Sequence, residues 1–177
     1  YASLLADQLH LSLDDVSCGG ARTEHILKPW NEIPPQINAV SDITRLVTVT
    51  VGGNDVSYVT NLFANSCPRD GEFTLNGRVM PCFQKKAIAE EDFTQLEASL
   101  RQIAREISAR APQAQVIFVQ YVTLVPDRLC AAVPLSQDEA DRIRLIGDRL
   151  AKVTATVTEE SGAMVLPADQ LSVGHTV

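Results

Sequence analysis

Val47-Thr48-Val49-Thr50-Val51 runs directly into Gly52-Gly53-Asn54-Asp55. A β-branched run that ends in small and polar residues has the form of a strand closing in a tight elbow. Two glycines let the backbone turn sharply and come close to a ligand. Asn54 carries an amide NH2 that can donate to an oxygen on which negative charge develops, the situation of acyl transfer. The plainer reading of Asn54-Asp55 is an Asx-type turn whose side chains satisfy neighbouring backbone groups. Upstream, Asp15-Val16-Ser17-Cys18-Gly19-Gly20-Ala21 follows another β-type run, and its glycine pair reads as a turn that needs positive φ.

The elements that must hold these residues follow from periodicity. A helix is expected from about Tyr1 to Leu9, a strand over Leu11 to Ser17, and a helical or irregular stretch from Thr23 to Ile43 divided by Pro34-Pro35. Arg45 to Val51 reads as a strand buried on both faces. Phe93, Leu96, Leu100, Ile103, Ala104 and Ile107 recur at helical spacing between Glu90 and Ala111, and Pro112 stops the pattern. Val116 to Val122 reads as a further strand. Ser136-x-x-Glu139 is a capping-box signature for a helix carrying Ile143, Ile146, Leu150, Val153 and Val157 to about Gly162, with a last strand at Met164 to Leu166. Strands alternating with long amphipathic helices predict one α/β domain with a mostly parallel sheet.

The chain has 177 residues, 45% hydrophobic and 21% charged, enough for one domain with its own core. A net charge of −7, with cations dispersed among acids, argues against a nucleic-acid partner and gives no support for attraction to a membrane surface. No apolar run reaches the roughly 20 residues needed to cross a bilayer, and no cofactor fingerprint is present. Cys18, Cys67, Cys82 and Cys130 have no Cys-x-x-Cys spacing and no nearby histidine pair, so no metal site is expected. Cys67 and Cys82 bracket a polar, turn-rich stretch with the look of a loop stapled at its base. For Cys18 and Cys130 the plain reading is two buried free thiols.

Gly52-Gly53-Asn54-Asp55 resembles the Gly-x-Asn-Asp block III of the SGNH/GDSL hydrolases, and Asp15 to Ala21 resembles their block II. Tyr1 to Ala6 resembles the helix after the family's nucleophile loop, and Asp169 to His175 a segment shortly before its last block. The resemblance implies a flavodoxin-like three-layer sandwich whose first strand is missing here, and serine-dependent hydrolysis of carboxylic esters, from small molecules or lipids, through an acyl-enzyme. It implies an oxyanion hole built from the Gly20 N–H and the Asn54 side chain, with Asp55 as structural support. In the secreted branch it implies three disulfides, one of them in the Cys67 to Cys82 loop, with the partners of Cys18 and Cys130 missing. It also places a Gly-Asp-Ser block before Tyr1 and an Asp-x-x-His block after Val177. No Gly-Asp-Ser occurs in the sequence, nor the Gly-x-Ser-x-Gly elbow of other serine hydrolases. The expectation is therefore a single domain, residues 1–177, truncated at both ends, from a secreted parent.

The remaining candidates are weaker. His10 ends a helix, His25 is near enough to block II to line a cleft, and His175 lies six residues after Asp169 rather than three. Ser3 belongs to a helix start, Ser17 to a strand end, and Ser57 has no identifiable base. Lys28-Pro29-Trp30 reads as a loop anchored by one ring. Two other classes compete with the esterase: a non-catalytic module binding an acyl or sugar ligand in the same cleft, and a nucleotide-binding domain. The second ranks last, since neither phosphate-loop pattern occurs. The sequence leaves the oligomeric state and the ester open.

Overall fold

The computed structural model of the chain describes residues 1–68, 71–75, 77–129 and 134–175, with Leu75 and His175 described by their backbone alone. Cys130 lies outside the described residues. The elements in chain order are α1 (Ala2–Leu9), α2 (Thr23–Leu27), a 3-10 turn (Gln36–Ala39), β1 (Leu46–Val49), α3 (Tyr58–Asn65), β2 (Glu72–Leu75), β3 (Arg78–Pro81), α4 (Glu90–Arg110), β4 (Gln115–Val119), α5 (Gln137–Ser161), β5 (Met164–Leu166) and α6 (Ala168–Leu171). A second 3-10 turn spans Val173–His175.

The α/β expectation holds. The central sheet is parallel in the order β1-β4-β5, with Val47 opposite Val116 and Phe118 opposite Val165. Alternation along the strands sends Val47, Val49, Val116 and Phe118 to one face. There they join Leu96, Leu100, Ile103 and Ile107 of α4 with Ile143, Leu150, Val153 and Val157 of α5 in a single core. Arg101 holds Glu160 across the two long helices at 2.6 Å, and Arg149 reaches Glu90 while its guanidinium lies 4.7 Å from the Phe93 ring centre. The opposite sheet face is met by the start of α1, where the Tyr1 hydroxyl lies 3.4 Å from Thr48 Oγ1 and 3.3 Å from Thr50 Oγ1.

Helix ends follow their sequence signals. Ser136 Oγ accepts from the Glu139 N–H at 3.3 Å while Glu139 Oε2 accepts from the Ser136 N–H at 3.0 Å, closing the capping box of α5. At the other end Gly162 takes the left-handed conformation, φ 71°, and stops it.

Four expectations need correction. Residues 11–17 form no strand; Leu11, Leu13 and Val16 are exposed, and no ladder reaches them among the described residues. An extended segment becomes a strand only by exchanging hydrogen bonds with a neighbour, and among the described residues β1 pairs only with β4. The strand expected over Arg45 to Val51 is limited to Leu46–Val49 and only Val49 in it is buried, because α4 and α5 cover one face alone. β4 likewise ends at Val119, after which the chain leaves the sheet to shape a cleft. The stretch between Cys67 and Cys82 is more ordered than a loop: β2 and β3 pair as an antiparallel hairpin, and the two cysteines are disulfide-bonded at its base.

Candidate functional site

The elbow following β1 is held in place from four directions. Gly52 has φ +109°, and a Cβ there would lie 2.9 Å from Leu96 Cδ1 and 3.1 Å from Leu150 Cδ1, so the bare backbone seats against α4 and α5. Gly53 leaves no more room, since a Cβ would stand 2.7 Å from Tyr121 Cζ. The Gly53 N–H donates to the Tyr121 hydroxyl at 3.2 Å. Burial pushes the Tyr121 phenol up from its ordinary range. The Gly53 carbonyl accepts from the Tyr58 N–H at 2.8 Å, and Ser57, at φ 50°, opens α3. A buried, tightly packed turn thus leads from the sheet into a helix.

Asn54 and Asp55 face the loop that carries Gly20. Asn54 Nδ2 donates to the Ala21 carbonyl at 2.9 Å; a carbonyl can only accept, which fixes the amide orientation. Its second N–H has no acceptor among the described residues. Asp55 accepts from the Thr23 N–H at 3.1 and 3.2 Å and from Thr23 Oγ1 at 2.5 Å, anchoring the first turn of α2. These partners lie more than thirty residues away, so the pair does more than close a local Asx turn. Two elements recognised separately in the sequence are thus tied together by their own side chains.

Gly20 itself sits at φ +90° in the turn closed by Ala21 N–H to Cys18 O at 3.1 Å. A Cβ on Gly20 would meet Trp30 at 3.4 Å, and its N–H has no acceptor among the described residues. Trp30 stacks in parallel on His25 with ring centres 4.4 Å apart. His25 Nδ1 accepts from the Arg22 N–H at 3.0 Å and so serves the start of α2. His25 lines neither the cleft at the carboxyl end of β4 nor the cavity between α2 and α4.

The other candidates are dispersed. His10 takes a left-handed conformation at the exposed carboxyl end of α1. Asp7-Gln8-Leu9-His10 does have the Asp-x-x-His spacing, a match that sequence reading passed over, yet it stands on a helix rather than after the last strand. Ser17 Oγ donates to Asp15 at 2.6 Å and Ser57 is buried. Cys18 is a half-buried free thiol.

A cleft of about 570 Å³ opens at the carboxyl end of β4, across Tyr121 from the elbow. Tyr58, Gln120, Tyr121, Arg144, Asp148 and Asp169 are among its walls. Gln120 Oε1 and Asp169 Oδ1 are buried acceptors without a partner among the described residues. Crevices at strand carboxyl ends are where ligands of open α/β sheets bind. A second cavity of about 470 Å³ lies between α2 and α4 and includes Asp55. Neither is lined by Gly20 or Asn54. Tyr121 and Thr23 carried no signal in the sequence that could have linked them to the elbow.

Residues 1–176 match the GDSL-like lipase/acylhydrolase family. Lipase 2 of Streptomyces coelicolor is 30% identical over 184 residues, covering 99% of this chain and 61% of the relative. A lipase of Streptomyces rimosus is 30% identical over 159 residues, covering 90% of this chain and 54% of the relative. The chain therefore spans a little over half the length of these relatives. Among solved structures, the phospholipase A1 of Streptomyces albidoflavus superposes with a TM-score of 0.73 at 21% identity, covering all of this chain and 70% of that one. The extracellular lipase of Streptomyces rimosus superposes with a TM-score of 0.64 at 25% identity, covering 90% of this chain and 62% of that one.

Proposed function

The chain belongs to the GDSL-like lipase/acylhydrolase family, and we propose that it carries the oxyanion-binding part of a carboxylic ester hydrolase. Gly20 N–H and the second N–H of Asn54 are the donors. Each acts by being fixed where negative charge grows on the substrate carbonyl oxygen, so no reorganisation is needed as the tetrahedral intermediate forms. The observation that carries the reading is the bond from Asn54 to Ala21, which ties the two donor loops together while leaving one amide proton and the Gly20 N–H without acceptors among the described residues. Asp55 positions the same loops through Thr23 and touches no substrate.

The attacking group in this reading is a serine hydroxyl activated by histidine, with the acyl-enzyme then released by water. The sequence of residues 1–177 contains no Gly-Asp-Ser, so the nucleophile is not assigned to any residue here. The same absence favours one competing reading, a module that holds an acyl or sugar ligand at the elbow without turnover. A lipid or small-molecule ester is the substrate class, supported by relatives named lipase and phospholipase A1. An extracellular setting is supported by the Cys67–Cys82 disulfide and by the extracellular lipase among the similar structures.

Hydrolysis of a short-chain p-nitrophenyl ester, with a fluorophosphonate label for reactive serine, separates the two readings. The assay is run on residues 1–177 and on the same chain extended by whatever its gene encodes on either side. Turnover with serine labelling in either form supports the hydrolase. Ligand retention with neither turnover nor labelling in both forms supports the binding module.

A further inference from the structure

Outside the elbow, the stapled hairpin has a composition unlike the rest of the molecule. Residues 67–86 hold four cations, Arg69, Arg78, Lys85 and Lys86, against two carboxylates, Asp70 and Glu72, in a chain whose net charge is −7. Three aromatic rings gather there. Phe83 lies 6.0 Å from Phe63 of α3 and 5.6 Å from Phe73 of β2, measured between ring centres. Phe63 and Phe83 are nonetheless 48% and 42% exposed. Phe73 stands opposite Met80 in the ladder, so alternation puts Phe73, Arg78 and Met80 on one face.

This surface is anchored at its base. The disulfide closes the hairpin base, Cys82 N–H donates to Gly71 O at 2.9 Å, and buried Asn61 clasps the Lys86 backbone through bonds of 3.0 and 2.8 Å. Lys85 is paired with Glu139 at 2.9 Å, while Arg78 and Lys86 are exposed and make no ion pair among the described residues. A soluble core gains nothing from holding aromatic rings half in water. A phospholipid surface gains from rings at the depth of its headgroups and from cations beside its phosphates.

We propose that the Phe63-Phe73-Phe83 face of the hairpin, flanked by Arg78 and Lys86, docks on an anionic phospholipid surface. The charge contrast selects this occupant: a protein of net charge −7 is repelled by such a surface everywhere except where cations outnumber acids. Phe63 belongs to α3, an eight-residue helix about 12 Å long that starts immediately after the elbow, so docking brings the elbow to the lipid. The purpose of docking rests on the lipid-ester reading above, whereas docking itself is measured without turnover.

The test is co-sedimentation of residues 1–177 with vesicles of phosphatidylcholine alone and of phosphatidylcholine mixed with phosphatidylglycerol. Binding is expected only to the mixed vesicles and should weaken with salt. Arg78→Glu and Phe63→Asp should each lower the vesicle partition coefficient by about tenfold or more. Ile43→Asp, which changes an exposed apolar residue ahead of β1, should leave it unchanged. Circular dichroism confirms that each variant is folded, and Arg78→Glu, at an exposed position, keeps the test decisive if Phe63→Asp does not fold. Absence of binding to mixed vesicles, or equal losses in all three variants, overturns the proposal. So does sedimentation equilibrium showing a dimer that Phe63→Asp dissociates, because a second copy would then cover the face. Binding by residues 1–177 leaves docking standing whatever the esterase assay gives, and only the lack of turnover and serine labelling in both forms of the protein removes the hydrolase reading; turnover without vesicle binding removes docking alone.

Discussion

At the scale of single residues, the elbow was legible because its chemistry is written in adjacent letters. Gly52-Gly53-Asn54-Asp55 announces a turn with an amide at its tip, and the backbone takes that turn. The partners of that turn were not legible. Ala21 and Thr23 meet it through bonds that span more than thirty residues, and Tyr121 arrives from the far side of β4. No local pattern encodes which distant carbonyl an amide will find. Asp55→Ala removes the acceptor of Thr23 N–H and Thr23 Oγ1 and leaves these donors in a largely buried position. A loss of about 1–3 kcal/mol in folding stability is expected, read as a lower urea midpoint at unchanged slope. An unchanged midpoint would mean that water replaces the carboxylate without cost.

At the scale of elements, the long helices were readable end to end, since an apolar stripe of period 3.6 and explicit caps both survive without tertiary context. The segment 11–17 shows the opposite case: an apolar, extended pattern promises a strand only if a neighbour exists to complete it. The hairpin shows a third, where Asn76-Gly77 between apolar runs offered a turn signal that the cysteine bracket obscured. The capping box of α5 provides a pH test. Lys85 first, then the backbone and hydroxyl of Ser136, hold the Glu139 carboxyl down at about 2, against an ordinary value of 4.5. A folded-state value below the unfolded one stabilises the fold fully above about pH 4.5, and the contribution disappears as pH falls through about 2. Glu139→Gln should therefore flatten the stability loss across that window in urea titrations. A slope identical to that of the parent would assign the acid sensitivity to other carboxylates. The disulfide acts on a different state: it closes a sequence separation of 15 residues, and Cys67→Ser with Cys82→Ser should cost about 3 kcal/mol by freeing the unfolded loop. A melting temperature equal to that of the parent would show that the clasp of Asn61 on Lys86 suffices.

At the scale of the whole molecule, the fold is a parallel sheet with two long helices on one face, and the polar elbow and the cleft lie at the carboxyl ends of β1 and β4. That concentration is what a doubly wound sheet provides, because all its strands end on the same side. The fold class and the place of the elbow could be read from residue order alone; the size of the cleft and the aromatic face could not, since both arise where separate elements meet. The measurement that bears most directly on the proposed chemistry is the turnover number of Asn54→Ala on a p-nitrophenyl ester, in whichever form of the protein turns over, with circular dichroism to verify the fold. A fall of about two to three orders of magnitude, equivalent to roughly 3–4 kcal/mol of barrier, is expected if the amide donates to the oxyanion. An unchanged turnover number in a folded variant would contradict that role.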